Sequence, residues 1–345
     1  MLRALALACR RRAGGRATGG LVRRGHARQG RRGLRAEGRR GRRRGCARGR
    51  LRGRHPARRG ARGPLVPQLR AARGARARSR CGRARAEAAS PVKRELAFAE
   101  ELARAGGEIA IARFGNPGEP RRKHDGSWVT DVDEHVEREL RARIAEAYPD
   151  HAILGEEEGL IGPDDAPQWV IDPIDGTNNF LAGIPIWGTL VALRVDGESV
   201  VGAACAPALG ELYSGARSEG ARLNGAPIAV DPVERLEDAT VVLGGLHHFV
   251  ERGLGDFVTE LAARTSRDRG LGDFWGHTLV ARGAAHVMVE AARLSLWDIA
   301  ALEPIVAEAG GRLTDLDGEP WSPGSPCLTS CGPIHDAVVE LARDA

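Results

Sequence analysis

The sequence predicts a mixed fold, an α+β half followed by an α/β half, preceded by an Arg-rich segment that stays disordered. Three observations carry the prediction. Composition changes abruptly near position 90. Beyond it, two amphipathic helical patterns lead into short apolar runs parted by Gly, Asp and Pro, as strands are parted by turns. After about position 239, strand-like and helix-like patterns alternate. These changes divide the chain into 1–90, 91–238 and 239–345.

Of the 345 residues, 52 are basic and 45 acidic, a formal charge of +7 that hides two unlike pieces. Residues 1–90 hold 30 Arg and only two acids, Glu37 and Glu87, which leaves 22 basic against 43 acidic residues in the remainder. All six Trp also lie beyond position 90. A segment with so little apolar surface to bury cannot offset the entropy of ordering. Three accounts of it stay open: a translation start placed too far upstream in GC-rich DNA, a targeting leader that is unusually long and poor in Ser, or a tail that binds nucleic acid or another polyanion. The apolar stretch from Leu2 to Cys9 is broken by Arg10, Arg11 and Arg12 before it reaches signal-peptide length, and no run approaches a membrane span. Cys205, Cys327 and Cys331, the cysteines beyond the basic segment, lack the paired spacing of a zinc site or a disulfide framework. The expectation is a soluble, cytoplasmic body with no membrane partner.

The first helix is expected over 91–114, where Leu96, Ala99, Leu102 and Ile109 form an apolar stripe, and a second from Asp133, with Val136, Leu140 and Ile144 at helical spacing. Strands are expected at 152–154, 169–171, 189–195 and 200–205, then at 240–243 and 286–290, with helices near 257–264 and 278–282. A last helix, opened by Asp298, runs to position 309 and is closed by Gly310 and Gly311. The adjacent His247 and His248 are placed in a loop, not facing one site.

Carboxylates gather at the edges of these apolar segments. Glu156, Glu157 and Glu158 follow the strand at 152–154, Asp172 and Asp175 bracket Pro173 and Ile174 after the strand ending at Ile171, and Asp298 starts the late helix. A hard divalent cation such as magnesium takes oxygen ligands, and strand ends hold them firmly while leaving positions for water and phosphate. Asp172 and Asp175 can grip two ions from one turn, with the Ile174 carbonyl as a further ligand. Gly176, Thr177 and Asn178 read as a helix N-terminus whose free amides face a phosphate. Each piece alone also has a plain structural reading: acids after strands are commonly solvated, foremost Glu158, and Asp298 serves as an N-cap. Asp-Pro-Ile-Asp-Gly-Thr directly after a strand has few such reasons to exist.

Trp169 to Phe180, reading WVIDPIDGTNNF, with Gly155, Glu156, Glu157 and the later Trp297, Asp298 and Ala300, resembles the inositol monophosphatase superfamily over about 91–345. The resemblance implies a layered αβαβα sandwich, commonly a homodimer, that hydrolyses small phosphate monoesters with two or three Mg2+ ions. It implies Glu156, Asp172, the Ile174 carbonyl, Asp175 and Asp298 as metal ligands, Glu156 and Thr177 as orienters of the attacking water, and the Gly176 and Thr177 amides as the phosphate cradle. Asp133 matches an acid near the second or third metal site and Lys123 an upstream lysine, whereas Asp131 reads as a helix-start acid. Metals so held lower the pKa of water, neutralise the phosphate and stabilise the leaving oxygen.

Within the superfamily, residues 183–189, 269–275 and 295–302 are most similar to the histidinol-phosphatase branch, which acts in histidine biosynthesis. Histidinol phosphate carries an amine and an imidazole, so acids and aromatics suit its pocket, with Asp273, Trp275 and Glu290 as candidates. Proteins of the family often carry an acid seven residues before the motif aspartate, where this chain has Ala291; Glu290 is one residue earlier, so either the loop is longer by one and Glu290 serves or the contact is absent. Inositol 1-phosphate is the alternative substrate, ahead of 3′-phosphoadenosine nucleotides and fructose 1,6-bisphosphate. A polyanion-binding protein acting through the Arg-rich segment is the reading of a different class.

Overall fold

The computed structural model describes residues 91–345 except Asp125 and Asp164. The 1–90 segment, with its expected disorder and its possible nucleic-acid role, lies outside the described residues.

In chain order the elements are α1 (Pro91–Ile111), the short strands β1 (Arg121–Arg122) and β2 (Trp128–Val129), α2 (Asp131–Ala147), β3 (Ala152–Gly155), β4 (Gly159–Ile161), β5 (Gln168–Asp175), α3 (Thr177–Ala182), β6 (Gly188–Val195), β7 (Glu198–Ala206), β8 (Glu211–Ala216), β9 (Gly220–Leu223) and β10 (Ala226–Ile228). There follow β11 (Thr240–Leu243), α4 (Leu246–Glu251), α5 (Gly255–Arg264), β12 (Arg267–Gly270), α6 (Asp273–Ala281), β13 (Val287–Glu290), α7 (Leu296–Ile299), α8 (Leu302–Glu308), β14 (Arg312–Thr314), β15 (Cys327–Ser330) and α9 (His335–Asp344). No described helix is long and apolar enough to cross a membrane.

Strand alternation explains how these elements stack. Side chains along a strand point to opposite faces in turn, so a strand apolar at every position has both faces covered. Trp169, Ile171, Val191, Leu193, Val201 and Ala203 face one way and pack against Leu102, Val136, Leu140 and Ile144 of α1 and α2. Val170, Leu190, Ala192 and Ala204, on the other face, meet Ile299, Leu302, Ile305 and Val306 of α7 and α8. These strands belong to an eight-stranded sheet of order β10-β9-β8-β7-β6-β5-β3-β4, antiparallel except for β3 beside β5. The second sheet, of order β12-β11-β13-β15-β14, is parallel across β12, β11 and β13. Val242 and Met288 pack on Leu279 and Val280 of α6, while Val241, Leu243, Val287 and Val289 pack on Phe257, Leu261, Val338 and Val339 of α5 and α9. The layers therefore run α1/α2, first sheet, α6/α7/α8, second sheet, α4/α5/α9: the αβαβα sandwich. The two sheets fall on either side of position 239, yet residues 91–345 form one compact unit, with α8 of the later half seated on β7 and β8 of the earlier one.

Three elements differ from expectation. The late helix is two helices, because Pro304 in a continuous helix would meet the carbonyl of Ala300; in the first turn of α8 its missing N–H costs nothing. Asp298 accordingly does not open a helix: Ser295 is the N-cap of α7 and Asp298 its third residue. His247 and His248 sit in α4 rather than in a loop.

Candidate active site

Asp172 and Asp175 are three residues apart, so in a regular strand their side chains would point to opposite faces. Pro173 between them has no N–H to keep the ladder with β6 in step, and pairing shifts from Asp172 opposite Leu190 to Asp175 opposite Gly188. The extra residue is a bulge, held by the Thr189 hydroxyl donating to the Pro173 carbonyl at 2.8 Å. It turns both carboxylates to one side. Gly176 then takes a left-handed conformation (φ 80°), open to glycine at little cost, and α3 starts at Thr177, whose hydroxyl donates to the Ile174 carbonyl at 3.0 Å.

Asp298 reaches the same place from α7. Its Oδ2 accepts the Ser295 amide in a capping box, and it supplies a ligand atom that lies with those of Asp172 and Asp175 within 4.8 Å of one another. Glu156 follows β3, and Lys123 Nζ lies 2.7 Å from both Glu156 Oε1 and Glu157 Oε1. Asp133 stands behind, wholly buried, with Oδ2 accepting the Thr130 amide and hydroxyl while Oδ1 has no partner. Glu156, Asp172, Ile174, Asp175, Gly176 and Thr177 of the earlier half and Asp273, Glu290 and Asp298 of the later half line a cavity of about 750 Å³. The carboxyl ends of parallel strands from both sheets meet there, the usual place for a ligand in such sheets.

So many buried acids cannot all stay charged unaided. Burial pushes Asp172 and Asp175 well above the usual carboxylate range, and neighbouring carboxylates add to it. Glu156 and Asp298 are pushed up to about 7, burial again leading, with Lys123 pulling both back. Asp172 Oδ1 is buried without a hydrogen-bond partner. Close, dry oxygen donors with an orphaned lone pair fit a hard divalent cation, which would supply the missing charge.

Asp273, close beside Gly176, and Glu290 also line the cavity, raised by burial to about 6 and about 7. Alternation along β13 sends Glu290 to the cavity and leaves Ala291 in the apolar core, so the acid one residue early is the one that reaches the site. Trp275 is not among the lining residues: its indole donates to Glu211 at 2.9 Å, beneath the Arg282 guanidinium. Three contributors escape sequence reasoning. Asn179, inside the motif, donates to Asp273 Oδ2 at 2.9 Å and to the Ile186 carbonyl at 2.8 Å, tying α3 to α6. His247 and His248, whose ring centroids lie 3.8 Å apart, both line the cavity despite being adjacent.

The profile of the inositol monophosphatase family matches residues 92–343. The chain belongs to that family. A histidinol-phosphatase of Mycobacterium tuberculosis is 38% identical over 251 residues, 71% of this chain and 96% of the relative. An inositol-1-monophosphatase of Mesorhizobium japonicum is 37% identical over 201 residues, 57% of this chain and 75% of its own length. Among solved structures, an IMPase of Thermotoga maritima superposes with a TM-score of 0.67 at 32% identity, covering 73% of this chain and 97% of its own. The protein is thus a phosphoric monoester hydrolase of the inositol monophosphatase family, similar to its histidinol-phosphatase branch, and its acidic cluster suits the metal dependence of that family.

Proposed function

We propose that the protein hydrolyses histidinol phosphate to histidinol and phosphate with magnesium as cofactor, a step in histidine biosynthesis. One observation supports the substrate above the others: beside the Asp172/Asp175/Asp298 cluster the cavity is lined by two further acids, the half-buried Asp273 and the buried Glu290. A cationic amine or imidazolium can pair with such acids, whereas a neutral polyol finds there acceptors without charge to meet. The histidinol-phosphatases among the relatives agree with this reading.

Magnesium held by Asp172, Asp175, Asp298, Glu156 and the Ile174 carbonyl would supply Lewis acidity toward phosphate and water. The chain's own residues do the rest. The Gly176 and Thr177 amides, at the start of α3, receive phosphate oxygens. Glu156 and the Thr177 hydroxyl orient the water, and Asp133 holds the Thr130 end of α2 behind them. The acids Asp273 and Glu290 fix the non-phosphate end of the substrate.

The test is phosphate release by the full chain, with and without magnesium, from histidinol phosphate, inositol 1-phosphate and 3′-phosphoadenosine 5′-phosphate at equal concentration. A magnesium-dependent preference for histidinol phosphate is expected. Preference for inositol 1-phosphate would keep the chemistry and overturn the substrate; no release from any of the three would overturn both.

A further inference from the structure

One buried charge stands behind the site without touching the cavity. Glu137 lies one helical turn after Asp133 on α2 and is wholly shielded from solvent. Its carboxylate is fully used. Oε2 accepts the amide of Glu157 at 2.8 Å, and Oε1 accepts the amide of Glu158 at 2.9 Å and Nε of Arg141 at 2.8 Å. Arg141, four residues further along α2, donates to the carbonyls of Ile153 and Gly159, one on each strand of the β3–β4 hairpin. Gly155 makes room for this approach, since a Cβ there would sit 2.1 Å from Glu137 Oε1.

A buried ion pair adds little stability over apolar packing of the same volume, because both charges must be desolvated. What it delivers here is geometry. Gly155 pairs with Gly159, so residues 156–158 form a turn of three consecutive acids whose charges repel. Turn amides commonly face water; in this turn the two that follow Glu156 are captured from behind by one carboxylate. Glu157 is then aimed at Lys123, and Glu156, which shares that lysine, reaches the cavity.

We propose that Glu137 is a positioning residue for cation binding: by holding the Glu157 and Glu158 amides it fixes the turn that presents Glu156, so metal affinity is set partly from the rear of the site. This rests on the reading of Glu156 as a cation ligand. The signal in the sequence is slight, an acid four residues after Asp133 on one helix face, in a stretch where every turn carries charge.

The test uses the full chain and its Glu137→Gln, Arg141→Lys and Glu156→Gln variants. Three quantities are read: Mg2+ affinity by calorimetry, the magnesium dependence of turnover, and backbone hydrogen exchange of the segment 155–160 without metal. Glu137→Gln keeps the shape but replaces an acceptor by a donor. It is expected to weaken magnesium binding about 10- to 100-fold, the usual effect of losing a residue that orients a ligand, with turnover at saturating magnesium falling far less and exchange of 155–160 speeding up. Arg141→Lys should move the same readouts less far. Unchanged magnesium affinity in Glu137→Gln, beside a weakened Glu156→Gln, would overturn the proposal and leave the pair a stabilising one. Unchanged affinity in Glu156→Gln would instead overturn the reading on which it rests. If Glu137→Gln does not fold, the wild-type protein decides: exchange at Glu157 and Glu158 as fast as in an open turn overturns the proposal.

Discussion

Lys123 Nζ lies 2.7 Å from Glu156 Oε1, both side chains mostly covered, so a lysine compensates the acid on the near side of the cavity. Removing it leaves that acid dry and without its counter-charge. Lys123→Met is expected to destabilise the metal-free protein by about 2 kcal/mol, as for a partly buried charged hydrogen bond. Urea unfolding with chelator measures the loss. Saturating magnesium should shrink it, and a loss that persists unchanged would mean that Lys123 and the cation do not share Glu156.

Asp172→Asn and Asp298→Asn remove charge without changing shape. Each should lower kcat at least 1,000-fold, on the order of 4 kcal/mol of transition-state stabilisation, while circular dichroism and the thermal midpoint stay near wild type. Near-normal turnover in either variant would refute its place among the ligands.

Glu290 and Trp275 stand at adjacent levels of the later half but face different surroundings. Glu290→Gln should raise KM for histidinol phosphate roughly 10- to 100-fold, the worth of a charge-assisted hydrogen bond, and leave KM for inositol 1-phosphate within a few-fold. Trp275→Phe loses the hydrogen bond to Glu211 and should cost about 1 kcal/mol of stability with substrate preference unchanged. Steady-state kinetics on both substrates separates the two.

Protons and magnesium compete for the same oxygens. Burial raises Glu156 and Asp298 to about 7, so below that pH the free site holds protons that the cation must displace. Apparent magnesium affinity should therefore fall as pH drops from 8 to 6. Calorimetry in two buffers of different ionisation enthalpy should detect protons released on binding; none released at pH 6.5 would contradict the burial of these acids.

His335 sets acid stability elsewhere. It is buried between the Ser330 and Thr314 hydroxyls, at 2.8 and 2.9 Å, and burial pushes its pKa down to about 4. The folded state then binds fewer protons than the unfolded one between about pH 6.5 and pH 4. Its contribution is present above 6.5 and is lost as pH falls through that window. The difference in thermal midpoint between wild type and His335→Gln should be larger at pH 7.5 than at pH 4.5; an equal difference would show that the ring is not held neutral.

The sequence already singles out the clustered acids, because Asp172, Asp175 and Glu156 stand beside short apolar runs bounded by turn residues. It does not show how Asp172 and Asp175 come to share a side: that depends on the bulge, which Pro173 permits but pairing with Gly188 and Leu190 creates. The β9–β10 hairpin passes unread although Asn224 and Gly225, both at positive φ, are a turn pair that closes such hairpins. Glu137 is a harder case. On the chain it looks like one more charge on a charged helix, and only the proximity of β3 reveals that it is buried. Trp275 errs the other way, since an aromatic near a motif carries no sign of which way α6 will turn it.

The cavity is lined by Glu156 from the earlier half and Asp298 from the later one, with Leu243, Gly270 and Glu290 of the second sheet. A ribosome therefore makes the first sheet, with its buried acids, before Asp298 and Glu290 exist. The Asp172, Asp175 and Asp298 cluster is complete only in the finished body. Lys123 is the counter-charge that the earlier half itself carries beside Glu156, so that acid has a partner from the same stretch of chain before the later half is made.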